Sequence, residues 1–64
     1  MKPVVVRNVR ASISALKLLA DDMDTKLRNG QLKEAEEIAS MVYEKAGYIS
    51  GQINILIDQA ETSS

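Results

Sequence analysis

The residues that could carry out chemistry in this 64-residue chain are carboxylates and serines, because the sequence contains no histidine and no cysteine. The two absent residue types supply the commonest general bases and nucleophiles of enzymes. Ser12 and Ser14 have no candidate base beside them in the sequence. We therefore expect a protein that is not an enzyme and that carries no cofactor.

The densest group of potential metal ligands is the acidic cluster of Asp21, Asp22 and Asp24. Consecutive residues on a helix point in different directions, and the cluster lacks the glycine and terminal glutamate of a calcium loop. Glu34 and Glu37 share a helix face, but the first turns of a helix favour acidic residues for electrostatic reasons alone. We expect solvated acidic faces here and no metal site.

A row of positive charge is the polar pattern that most favours binding. Arg7, Arg10 and Lys17 are spaced to lie along one side of a helix. Contacts from Arg and Lys to phosphates supply most of the non-specific affinity of proteins for nucleic acids. The alternative is structural, because a hairpin would bring Asp58 and Glu61 near the start of the first helix, where they could pair with the row.

The elements that carry these residues are predicted to be two amphipathic helices. In the first helix, apolar residues recur at alternating intervals of four and three, which is typical of a helix face that packs against a neighbour. Asn29-Gly30 then ends the helix, because glycine adopts the left-handed conformation without a Cβ penalty. The predicted seam of the first helix consists of Val9, Ile13, Leu16, Ala20, Met23 and Leu27.

The second helix has the more regular pattern, with apolar residues three and four apart over its whole length. We expect this face to pack against the first helix, and a second apolar stripe lies beside it. The predicted seam of the second helix consists of Leu32, Ala35, Ala39, Val42, Ala46, Ile49, Ile53, Leu56 and Ala60.

These patterns predict one all-α domain, an antiparallel two-helix hairpin. We place the first helix at about 4–29, the turn at 29–31, the second helix at about 32–61 and a frayed tail at 62–64. The first seven residues fit either a helix or an extended arm, because Pro3 is tolerated in a first helical turn and the valines after it also suit a strand.

The small size of the chain predicts that it needs a partner. A chain of this length buries only about 60% of its unfolded surface, so small domains usually add a disulfide, a metal or a second chain. Without Cys or His, a second chain is what remains. We predict a homodimeric four-helix bundle, with these apolar residues at the interface to a second copy or to another protein: Leu19, Ile38, Met41, Tyr48 and Ile55.

The sequence leaves three functions open. The first is a small interaction protein, such as an inhibitor or adaptor of bacterial or phage type, that regulates another protein by binding it. The second is a nucleic-acid-binding regulator that uses Arg7, Arg10 and Lys17. Its ligand would be RNA or DNA; the predicted hairpin dimer resembles a plasmid RNA-binding hairpin of about the same length in architecture alone, and no residue motif carries that resemblance. The third is a structural subunit for oligomerisation or assembly.

Charge and hydropathy set the expected location. The net charge of −1 gives no overall electrostatic bias toward one partner class. The apolar runs are much shorter than the roughly 18 residues that span a bilayer. We therefore expect a cytoplasmic protein that does not act on membranes.

Overall fold

The fold consists of two α-helices joined by a short turn. The computed structural model describes residues 3–63, in which α1 spans Pro3–Arg28 and α2 spans Leu32–Ser63. The helices pack against each other as a hairpin with overall dimensions of 51 × 15 × 12 Å. The prediction of an all-α hairpin is confirmed, and the described part of the chain contains no strand.

The helix ends differ slightly from those predicted. The alternative of an extended arm does not hold from residue 3 onward, because α1 already begins at Pro3. Residues 1 and 2 lie outside the described part. α2 continues through Thr62, whose hydroxyl donates a 2.7 Å hydrogen bond to the carbonyl of Asp58. The predicted frayed tail is therefore helical as far as residue 63, and residue 64 lies outside the described part.

The turn is a Schellman motif centred on Gly30. The N–H of Gln31 donates to the carbonyl of Lys26 at 2.8 Å, and the N–H of Gly30 donates to the carbonyl of Leu27 at 3.1 Å. Gly30 has a φ of +75°, the left-handed conformation that this motif requires. The carbonyl of Gln31 then accepts the N–H of Ala35 at 3.0 Å, which starts α2 without an intervening loop. The two helices are therefore forced to lie side by side.

Two glycine substitutions will have opposite effects on stability. Gly30→Ala will lower the free energy of unfolding by about 1–2 kcal/mol, because an L-residue is strained at this positive φ. Gly51→Ala will raise it by up to about 1 kcal/mol, because alanine favours a helix interior and its Cβ meets no atom within 4 Å. Urea unfolding followed by circular dichroism measures both. A loss of stability in Gly51→Ala would mean that another backbone packs against that site.

The core of the hairpin is small and open. Its buried apolar residues are Val9 in α1 and Ala35, Ile38 and Ile49 in α2. Half-buried positions continue the seam at intervals of three and four residues in both helices. In α1 they are Val5, Ser12, Leu16, Leu19, Met23 and Lys26, and in α2 they are Val42, Lys45, Gln52, Leu56 and Gln59.

The predicted seam was therefore wrong in half of its positions. Val42 and Ile49 lie in the seam as predicted, but Ile38, Lys45 and Gln52 occupy the places predicted for Ala39, Ala46 and Ile53, which are exposed. The same shift occurs in α1, where Ala20 and Leu27 are exposed. Each helix carries apolar residues over an arc wider than one seam. Two helices alone face each other through the middle of that arc, which leaves both of its edges uncovered.

Candidate functional site

The hairpin exposes more surface than a closed domain of its mass. The chain exposes 4957 Å², whereas the usual relation between area and mass gives about 4000 Å² for a compact protein of this size. In the described part of the chain, no large side chain is fully enclosed. The large apolar side chains that remain exposed are Val4, Leu18, Leu27, Leu32, Met41, Tyr43, Tyr48, Ile53, Ile55 and Ile57.

One edge of the apolar arc forms a continuous surface that we call the alanine face. Its residues recur every seven positions in each helix, and seven of the nine lie four positions after a seam residue. In an antiparallel helix pair, equivalent positions of this kind lie on the same side, so the two rows form one surface. The alanine face consists of Val6, Ile13, Ala20 and Leu27 in α1 and Leu32, Ala39, Ala46, Ile53 and Ala60 in α2.

The alanine face is apolar throughout and mostly exposed. Leu27 and Leu32, beside the turn, are 58% and 65% exposed. Ala39 and Ala46, in the first half of α2, are exposed as well, while Ile13 is half-buried. An extended apolar surface without charge is unusual on monomers, and patches of this kind mark interaction sites or ligand-binding grooves in many proteins. Small residues in the middle of such a surface let another helix approach closely.

The other edge of the arc carries a second surface, which we call the tyrosine face. It consists of Met41, Tyr48 and Ile55, spaced seven residues apart along α2 and each about half exposed. A groove of about 420 Å³ lies beside Tyr48, between the two helices. The residues that line the groove are Asn8, Ala11, Ser12, Lys45 and Tyr48.

The five predicted interface residues are divided between the hairpin interior and its surface. Ile38 is buried, at 8% exposure, and Leu19 is half-buried on the same seam. These two side chains therefore fill the hairpin's own core, because the seam runs through the middle of the apolar arc. Met41, Tyr48 and Ile55 lie together on the tyrosine face. For the three exposed residues, the predicted role at an interface with a partner remains a prediction.

Sequence reasoning missed the alanine face as a surface. Ala39, Ala46 and Ile53 were identified as apolar positions but were assigned to the hairpin interior. The sequence did contain a signal that distinguishes the two rows. The row of Ala39, Ala46 and Ile53 is apolar without interruption, whereas Lys45 and Gln52 interrupt the neighbouring row. An uninterrupted apolar row points toward the more deeply buried surface of an assembly, not toward the seam of a lone hairpin.

The basic row lies on the outward side of α1. Arg7, Arg10 and Lys17 are exposed, and none of them forms a hydrogen bond or an ion pair with a residue in the range 3–63. The alternative in which acids at the end of α2 pair with this row is therefore not realised within the hairpin. By contrast, Arg28 pairs with Asp24 at 3.0 Å on the exposed surface of α1.

Residues 3–63 contain no group of three acidic side chains arranged to hold a metal ion. Within the same range, neither helix has a segment that is both long and apolar enough to cross a membrane. Comparisons with protein-family models, with curated proteins and with solved structures find no match to this chain.

Proposed function

We propose that this protein is a non-enzymatic interaction protein that acts as a homodimer, in which two hairpins pack through their alanine faces into a four-helix bundle. The observation that carries this proposal is the uncharged, exposed alanine face. A helix in a four-helix bundle must bury about three positions per heptad, whereas a lone hairpin buries only two. The alanine face supplies the third position in both helices.

The area available is sufficient for a stable dimer. Stable interfaces bury about 800 Å² on each partner. The chain exposes 4957 Å², which exceeds by about 900 Å² the area expected for a compact protein of its mass. Burying the alanine face against a second copy would remove about this much exposed surface from each chain.

The shape of the alanine face also suits a two-fold arrangement. Ala20 and Ala39 lie on the turn side of its middle, and the bulkier Val6 and Ile53 lie about as far on the open side. A two-fold axis through the middle of the face, with the turns at opposite ends, sets the small residues of one chain against the bulkier residues of the other. Ala46 then lies nearest the axis, and Ala39 lies within the contact between the chains.

The mass of the protein in solution tests the self-association. We expect light scattering behind size exclusion to give twice the chain mass of 7.0 kDa at micromolar concentration and above, and to fall toward one chain only on strong dilution. A stable mass of one chain at all concentrations would contradict the dimer. Continued growth beyond two chains would instead support a structural assembly subunit.

A nucleic-acid-binding regulator is the second candidate, and the unpaired basic row favours it. Arg7, Arg10 and Lys17 are exposed and make no ion pair within residues 3–63, so they are available to phosphates. Binding through this row would weaken steeply with rising salt and would weaken further in the Arg7→Ala, Arg10→Ala double variant. The absence of RNA and DNA binding at low salt would exclude this candidate.

A further inference from the structure

The tyrosine face stays uncovered in a dimer that forms through the alanine face, because the two faces lie on opposite sides of the seam. We infer that the tyrosine face binds an amphipathic helix of another protein, and that this helix carries a carboxylate that pairs with Lys45. The inference rests on the proposed interaction function and adds the chemistry of the partner.

The polar lining of the groove indicates the charge of the partner. Lys45 is half-buried within the seam, and its ammonium forms no hydrogen bond or ion pair with any residue in the range 3–63. An ammonium is a donor only, and the side chains of Asn8, Ser12 and Tyr48 can donate as well. No carboxylate lines the groove. The site therefore offers donors and one positive charge to an acceptor with a negative charge.

The apolar row indicates the shape of the partner. Met41, Tyr48 and Ile55 repeat every seven residues, so they run nearly parallel to the axis of α2. The row spans about 21 Å at about 1.5 Å per residue, which matches about four turns of another helix. Methionine and tyrosine are suited to such contacts, because one adapts to irregular surfaces and the other is enriched in interfaces. A helix laid in the groove would present apolar residues at intervals of three and four.

A second copy of this chain is a poor occupant of the tyrosine face. In a two-fold contact, the same surface of each chain meets itself. Two such faces would bring the Lys45 ammonium of one chain toward that of the other, and like charges in a partly buried contact repel. The charge of the groove therefore favours a different protein that supplies an acidic residue.

A pair of synthetic helices tests this inference. The first probe is an 18-residue amphipathic peptide with leucines along one face and glutamates beside them, and the second has glutamines in place of the glutamates. We expect the acidic peptide to bind about tenfold more tightly than the neutral one, by fluorescence anisotropy, because it adds a charge-assisted hydrogen bond to Lys45. Lys45→Met, which keeps the apolar stem, will make the two peptides bind equally.

Lys33→Met is the matched control, because it removes the same charge from an exposed position on the outward side of α2. It should leave the tenfold preference unchanged. Equal binding of both peptides to the unmodified protein, no binding of either peptide, or an unchanged preference in Lys45→Met would each overturn the inference. Loss of the dimer mass in Tyr48→Ala would also overturn it, because a second copy would then cover this face.

The same samples separate the two proposals. Failure of the acidic peptide in a protein that has the mass of two chains contradicts only the assignment of the tyrosine face. A mass of one chain together with the expected peptide preference contradicts only the dimer.

Discussion

Replacing Ile49 with aspartate will unfold the hairpin. Ile49 is one of the buried residues of the seam, at 8% exposure, and it lies near the middle of α2. Removing a buried isoleucine side chain costs about 2–5 kcal/mol, and burying an unpaired carboxylate adds to that cost. A chain of this length has a total stability of about 3–10 kcal/mol. We therefore expect Ile49→Asp to lose most of its helical circular dichroism at 25 °C.

Leu18→Asp is the matched control for this experiment. It introduces the same charge in place of an apolar residue of equal size, but Leu18 is 71% exposed on α1. Surface substitutions of this kind usually change stability by no more than about 0.5 kcal/mol, so Leu18→Asp should keep full helicity. Equal helicity in both variants would mean that the hairpin does not pack through the seam that contains Ile49.

The turn and the hairpin could be predicted from the sequence because local physics decides them. Gly30 is the residue at which the first helix can end in a left-handed conformation, and three residues between the helices leave room for no other arrangement. Half of the seam could be predicted for a similar reason. Val42 and Ile49 lie within the apolar arc whichever edge is chosen, so both the predicted and the observed seam include them.

The other half of the seam depends on what surrounds the hairpin, which the pattern of one chain does not specify. The all-apolar row of Ala39, Ala46 and Ile53 is the more regular pattern, and so it was assigned to the interior. In the single hairpin, the contact between the two helices instead lies at the middle of the apolar arc. Lys45 and Gln52 therefore lie in the seam. Half-buried polar residues of this kind are tolerated because they reach solvent at the edge of an open, two-helix interface.

The candidate site was predictable to a similar extent. Met41, Tyr48 and Ile55 could be identified as surface residues because each lies one position before a residue of the predicted seam, which turns its side chain out of that seam. The alanine face could not be identified in this way, since a row of small apolar residues fits equally well inside a hairpin or between two of them. The choice between those two places requires the rotation of the helices, which only the structure supplies.

Replacing Ala39 with glutamate will separate the dimer and leave each hairpin folded. Ala39 is exposed in the single chain, so a glutamate there is solvated and does not disturb the seam. In the proposed dimer, the same position lies within the interface between the chains, where each chain would bury an unpaired carboxylate. An unpaired buried charge costs several kcal/mol. Since about 1.4 kcal/mol corresponds to tenfold in affinity, the dimer dissociation constant should rise at least about 100-fold.

Ser40→Glu provides the comparison for Ala39→Glu, because it adds the same charge one residue further on, at an exposed position that points away from both apolar faces. Sedimentation equilibrium over a range of concentrations should give two chains for Ser40→Glu and one chain for Ala39→Glu, with helical circular dichroism in both. If Ala39→Glu retained the mass of two chains, the alanine face would not be the dimer interface. If it lost its helicity as well, Ala39 would belong to the hairpin interior, as the sequence pattern first indicated. The two readouts together therefore distinguish a seam between helices of one chain from a surface between two chains.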